Sequence, residues 1–350
     1  MSRLRFKVLT LFAVCLMALA PLGAAQAKDN FKVCWSIYAG WMPWAYADSS
    51  GILKKWADKY DISIDLVQIN DYIESVNQYT SGNMDACAIT NMDTLTIPAA
   101  SGVDSTALIV NDYSDGNDGI ILKNAKSLKD IKGRKVNLVQ FSVSHYFLAR
   151  ALESVGMSER DIDTVNTSDA DIVGIYANDD VDAVVTWNPQ LQAIDAMPNS
   201  NLVYTSHEIP REILDMLVVN TDTLKANPDF GKALVGAWYE VMQLIADGDE
   251  NALAAMAEAA GTDIAGYKKQ LDATHLYTDP QEAADLMNSD DLLATMQRIA
   301  EFSYKHGLLG PSAPGPDFVG IETPKGVYGN TSNVMMHFDP SYTENYAKSQ

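Results

Sequence analysis

The sequence predicts an α/β fold in two lobes, each a mostly parallel sheet flanked by helices. Three observations carry this expectation. Short β-rich runs alternate with helical patterns in the first half, in the order βαβαβ that parallel sheets require. A second βα series begins after a polar interruption near residue 115. The chain behind its first 27 residues is about 320 residues long, more than one core comfortably holds.

Residues 1–27 read as an export signal. "MSRLRFK" is a basic start, "VLTLFAVCLMALAPLGAA" is apolar, and "AQA" before Lys28 is a small-x-small cleavage site, so the mature chain begins after Ala27, in the periplasm. Cys15 follows "FAV" rather than small residues, which speaks against a lipid anchor, and no later apolar run has the length of a membrane span.

The elements then follow in order. "FKVCWSIY" is a strand, and Ile52, Leu53, Trp56 and Tyr60 fall at helical spacing, which puts Trp56 on the core face of a helix beginning near Ser50. Trp41 and Trp44 lie between the two, in a Gly/Pro-interrupted connection, where exposed indoles need a cover. "ISIDLVQI", a helical stretch around "YIESVNQYTSG", "MDACAIT" and a helical stretch from Thr94 towards Gly102 complete the first series. "STALIVNDYSDGNDGIILK" reads as two apolar strands around a polar centre. The second series has a strand at 135–140 and a helix presenting Leu148, Ala151, Leu152 and Val155, closed by Gly156. "DIDTVNT", a helix near "ADIVGIYAND" and the strand "VDAVVTW" follow, then "NLVYTS" and "ILDMLVVN". From about residue 222 the chain turns helical, with stripes at Leu234, Val235, Trp238, Val241, Met242 and Ile245, and at Leu292, Leu293, Met296 and Ile299. The Pro/Gly-rich tail after Pro311 is expected to wrap the surface.

With 25 basic and 46 acidic residues the formal charge is −21, and loss of Arg3, Arg5 and Lys7 with the signal takes it to about −24. That argues against nucleic acid or an anionic membrane surface as partner, and it favours a cationic ligand mildly, since acidity also serves solubility. Cys34 and Cys87 both sit in apolar runs; an oxidising compartment permits a bridge, and buried free thiols fit equally.

"GNMDACAIT", "SLKDIKGRKVNLVQFSVSHYFLARALESVG", "DDVDAVVTWNPQL" and "LVVN", in that order, resemble the periplasmic substrate-binding proteins of ABC importers. The similarity is greatest to the nitrate/taurine/alkanesulfonate branch and, within it, to the subgroup that accompanies urea carboxylase and is associated with guanidine uptake. The resemblance implies a type II periplasmic-binding-protein fold, with lobe 1 at 28–112 and 216–350 and lobe 2 at 113–215. Two crossover strands near 108–122 and 203–220 would form the hinge. It also implies a monomer that closes on a small-molecule ligand and hands it to an inner-membrane permease with its ATPase.

Under that resemblance, ligands bind at the carboxyl ends of strands. Trp41 and Trp44 then read as an aromatic wall for a planar cation, or as ordinary loop packing, with Tyr38 a weaker candidate. Asn91 and Asp93 follow a strand, and Asp93 is either a ligand carboxylate or an N-cap. Asp112 and Asp115 either contact ligand or shape a turn. Ser142, Ser144 and His145 begin a helix whose positive end suits an anion and is wrong for a cation unless a carboxylate intervenes. Ser144 reads equally as a helix cap. Trp187 and Asn188 end a strand facing the cleft, and Asp215 lies in the returning crossover.

An enzyme is disfavoured. His145, His207, His275, His306 and His337 are scattered, with no HExxH or Cys/His metal spacing and no Gly-rich phosphate loop, so no cofactor or metal is expected. A cysteine-rich motif needed by a pyrimidine-synthesising relative of the fold is absent too. The expected role is capture of a small nitrogen compound, guanidinium first, with urea, an amidine-like compound, taurine or another sulfonate, and nitrate as alternatives. A sensor docking on a receptor is a further reading.

Overall fold

The structure, a computed structural model, describes residues 28–350; the expected export signal lies outside the described residues. The strands in chain order are β1 (Asn30–Trp35), β2 (Ser63–Gln68), β3 (Ala86–Thr90), β4 (Ser105–Ser114), β5 (Asp118–Lys123), β6 (Lys135–Leu138) and β7 (Asp163–Asn166). After them come β8 (Ala183–Trp187), β9 (Ser200–Thr205), β10 (Leu214–Asn220), β11 (Thr274–Leu276), β12 (Gly320–Thr323), β13 (Gly326–Tyr328) and β14 (Val334–Phe338).

They form two sheets, one per lobe. The large sheet runs β13-β12-β14-β4-β10-β3-β1-β2 with β11 beside β4, and the small one runs β7-β6-β8-β5-β9. β1 lies parallel to β2 and β3, and β6 parallel to β7 and β8, as the βαβ pattern requires. The strands adjoining the lobe crossings run the other way: β10 is antiparallel to β3 and β4, and β5 to β8 and β9.

The chain crosses between lobes from β4 to β5 and again from β9 to β10. The Ser114 and Ser206 hydroxyls meet at 2.7 Å, Ser114 donates to Asp118 Oδ2 at 2.6 Å, and the Gly116 N–H donates to Ser206 Oγ at 2.8 Å. The two crossings are thereby tied into one hinge.

Two local expectations change, and a pairing left open is found. The helix beginning near Ser50 is preceded by another at Met42–Ser49, so Trp44 is helical rather than in a loop. Pro43 causes no break because proline is tolerated in the first turn, where its missing N–H has no helical partner. The tail after Pro311 does more than wrap the surface: β14 pairs in parallel with β4, and the helix Ser341–Ser349 lays Tyr346 on Tyr239 of the helix Pro228–Ala246, ring centroids 5.4 Å apart. Finally, Cys34 and Cys87, direct partners in the β1–β3 register with Cα atoms 4.4 Å apart, are joined in a disulfide.

The core is continuous through the large lobe. Phe31 stacks on Phe230 at 4.2 Å, and Trp56 lies over Gly236, where an added Cβ would meet its ring at 2.3 Å. Trp56 also donates its indole N–H to Glu240.

Candidate ligand site between the lobes

Several strand ends point at one place between the lobes. A small cavity of about 20 Å³ lies there, far below the roughly 300–1,000 Å³ of sites for drug-sized ligands. Its walls are four aromatic rings: Tyr38, Trp41 and Tyr72 from the large lobe and Trp187, the last residue of β8, from the small one. The rings form a chain. Tyr38 meets Trp41 edge to face at 5.1 Å, Trp41 meets Tyr72 at 5.8 Å, and Tyr72 meets Trp187 at 5.6 Å and 79°.

Two carboxylates complete the lining, Asp118 and Asp215. Asp118 opens β5 and stands directly opposite Trp187 in the β5–β8 register. Asp215 stands opposite Asp112 in the β4–β10 register. Asp112 sits just behind the wall, accepting the Tyr38 hydroxyl at 2.8 Å, while its other oxygen has no partner. The residues lining the cavity include no Lys, Arg or His.

Burial without a basic partner pushes these acids up. The Asp112 and Asp118 carboxyls both rise to about 7, for which desolvation is the main cause; hydrogen bonds from Tyr38 and Ser114 oppose it. Asp215 is likewise raised well above the usual carboxylate range, by burial and then by the charges of Asp112 and Asp118. Two carboxyls facing each other in a dry site cannot both ionise unless a cation lies against them.

Asp93 stands one layer behind the wall. Its Oδ2 accepts from Tyr72 Oη at 2.8 Å, Thr90 Oγ1 at 2.9 Å and the main-chain N–H of Val143 at 3.2 Å; Oδ1 is buried and unpartnered. Thr90, not Asp93, caps the short helix Asn91–Thr94. Val143 opens the helix Val143–Ser154 of the small lobe. Asp93 therefore reaches across the interface to the N-terminus of the other lobe's helix, and burial lifts its carboxyl to about 6 despite those three donors.

Of the residues expected at the site, Tyr38, Trp41, Trp187 and Asp215 line the cavity, and Asp93 and Asp112 stand immediately behind it. The others lie elsewhere. Trp44 is fully buried against Trp238, 5.0 Å between centroids, because its helix turns it into the core. Asn91 ties its helix to the returning crossover, donating to the Glu212 carbonyl and accepting from the Leu214 N–H. Asp115 pairs with His207 at the edge of the hinge. Ser142 is the cap of the helix Val143–Ser154, accepting from the Ser144 N–H, so Ser144 is not; the Ser144 hydroxyl is buried without a partner. His145 accepts from the Phe141 N–H and pairs with Glu159, which in turn meets His306 of the large lobe. The Asn188 carbonyl accepts the Ala39 N–H across the interface and its side chain caps Gln192.

Tyr72 and Asp118 went unanticipated. Tyr72 lies at the first position of a helix capped by Asp71, where its spacing reads as a core face. Asp118 is hidden among the other Asn and Asp residues of a turn-like run, and its pairing with Trp187 depends on the antiparallel register of β5 and β8.

Comparisons with known proteins agree with this architecture. The taurine-binding periplasmic protein of Escherichia coli (strain K12) is 24% identical over 128 residues, 35% of this chain, and the match spans 39% of that relative. The alkanesulfonate-binding protein SsuA from Xanthomonas axonopodis pv. citri, solved bound to MOPS, superposes with a TM-score of 0.67 at 17% identity, covering 81% of this chain and 96% of that one. The desulfurization enzyme DSZB superposes with a TM-score of 0.60 at 14% identity, over 92% and 99% of the two chains. At these identities the likeness is one of fold, the two-lobed type II periplasmic-binding-protein architecture, which carries both capture and catalysis. The family model described as NMT1/THI5 like matches residues 50–252, more than half of the sequence, and the chain belongs to that family.

Proposed function

We propose that this protein captures a small planar cation, guanidinium, between its lobes, and serves as the solute-binding component of an ABC importer of the sulfonate, taurine and nitrate type. One observation carries the reading: four aromatic rings and two carboxylates line a small cavity that has no basic residue in its wall. Ring faces attract a cation by about 0.5 to 2 kcal/mol per good contact, more when water is excluded. A carboxylate accepting two parallel N–H bonds suits the guanidinium fork. A nitrate or sulfonate would be buried among acids with no compensating cation, which is costly.

Capture fits the lobe arrangement. Trp187 donates its indole N–H to the Ile37 carbonyl at 3.1 Å, and Tyr72 takes Asp169 of the small lobe at its N–H at 3.0 Å, so the walls come together only when the lobes do. The domain boundaries near 113 and 215, the periplasmic location, the monomeric state and delivery to an inner-membrane permease with its ATPase belong to this proposal. The boundaries are supported by the hinge geometry, and the location and delivery by the likeness to the periplasmic relative.

The acids that hold protons near neutrality make urea the second reading, since a neutral carboxyl can donate to a urea oxygen. Calorimetric titration of the mature protein with guanidinium, urea, taurine and nitrate separates them. Binding of guanidinium at roughly micromolar Kd or tighter, strengthening with pH, is expected; binding of urea that weakens with pH would replace the ligand, and binding of taurine or nitrate alone would overturn the cation site.

A further inference from the structure

We propose that Asp93 sets the charge of the ligand by standing in, from the opposite lobe, for the anion that the N-terminus of the helix Val143–Ser154 would otherwise attract. The inference rests on the reading of the interlobe cavity as a ligand site, and it assigns to Asp93 a positioning and charge-setting role rather than ligand contact.

A helix of this length presents unsatisfied N–H groups and a partial positive charge at its start. Ser142 satisfies one of them, accepting the Ser144 N–H at 3.2 Å. The Val143 N–H is aimed at the interface, and the group it finds there is Asp93 Oδ2. Tyr72 and Thr90 add two hydroxyl donors to the same oxygen. Three donors converging on one point are an oxyanion site, and the chain's own carboxylate fills it. Asp93 Oδ1 is fully buried and without a partner, as is the Ser144 hydroxyl in the first turn of the same helix.

The consequence for the ligand is direct. Thr90, Tyr72 and Val143 are also cavity lining, so Asp93 lies immediately behind the wall. With it in place the helix end is neutralised and the net field in the cavity is that of carboxylates. Without it, the same three donors would face the cavity and favour an anion.

The test uses the full mature protein as wild type, Asp93→Ala and Asp93→Asn, titrated with guanidinium, methanesulfonate and sulfate at pH 6 and pH 8. Asp93→Ala should bind methanesulfonate or sulfate about tenfold or more tighter than wild type, as the loss of one opposed charge at a helix end implies. Asp93→Asn, which keeps the shape, should shift the guanidinium-to-sulfate affinity ratio about tenfold towards the anion. A purely structural Asp93 would lower stability and leave that ratio alone. Cooperatively unfolding variants with an unchanged ratio overturn the proposal, and if Asp93→Ala fails to fold the isosteric Asp93→Asn decides alone. Failure of the wild type to bind guanidinium would sink the proposed function while a gain of oxyanion binding in the variants still upheld the role of Asp93. Wild type binding sulfate as tightly as Asp93→Ala would overturn both.

Discussion

The rings of Tyr72 and Trp187 meet edge to face, 5.6 Å between centroids, although one belongs to each lobe. The contact makes the aromatic wall a property of the closed molecule. Replacing Trp187 by Ala removes both this contact and the indole bond to the Ile37 carbonyl, so guanidinium affinity should fall by roughly tenfold or more in a calorimetric titration. An unchanged affinity would take Trp187 out of the site.

Trp44 supplies the contrast. Buried against Trp238 and away from the cavity, its replacement by Ala should lower stability by about 3–5 kcal/mol and leave the affinity of the folded protein unchanged. Chemical denaturation and titration on the same sample separate the two effects, and a loss of affinity at full folding would return Trp44 to the wall.

Guanidinium binding should weaken as pH falls. Asp93 is raised to about 6 and Asp118 to about 7 by burial, so both protonate between neutrality and pH 5, removing the charge a cation needs. Stability follows the opposite sign. A carboxyl whose folded pKa is raised contributes stability fully present below its unfolded value of about 3.9 and lost as pH rises through 6 to 7. A cation offsets that loss, so the rise in Tm on adding guanidinium should be larger at pH 8 than at pH 5. A shift independent of pH would mean that the acids are not coupled to the ligand.

Asp215→Asn should raise the Tm of the ligand-free protein at pH 8 while weakening the cation. The substitution keeps the shape and removes one of two facing carboxyls on β10 and β4. A fall in Tm would indicate that the pair is held together by its shared proton more than it is strained by burial.

Gly40 leaves no room for a methyl group. A Cβ there would lie 2.4 Å from Asp112 Oδ2 and 2.5 Å from the Tyr38 ring. Gly40→Ala should therefore push the Tyr38–Asp112 pair out of place and reduce both affinity and Tm, whereas Gly174→Ala, with nothing near its added Cβ, serves as the neutral control.

The alternation of strands and helices through the first two hundred residues was legible because each parallel strand is a short apolar run followed by an amphipathic helix. Pro43 misled because the same residue that ends a helix also begins one, and the tryptophan pair was divided by a helix start that sequence spacing does not mark. The short strands β12, β13 and β14 have too few residues to show a period, so the tail read as irregular. Within the site, Trp187 was visible as a strand-end residue and Asp215 as part of the returning crossover. Asp118 was not, because an acid in an Asn/Asp/Gly run looks like turn chemistry until the register with Trp187 is known. Asp93 offered two local readings, ligand or cap of its own helix, and one of its three donors lies fifty residues away on the other lobe.

The small sheet is drawn from one unbroken stretch of chain, β5 to β9, whereas the large one needs segments from both flanks, and β14 is laid against β4 more than two hundred residues after it was made. Assembly therefore has an order written into the topology. The small lobe holds all its strands early, while the large lobe keeps a strand edge open until residues 334–338 arrive. A chain cut short before them would carry the segments that line the interlobe cavity intact and yet expose the β4 edge to other molecules, a route to aggregation rather than to a milder defect at the cavity.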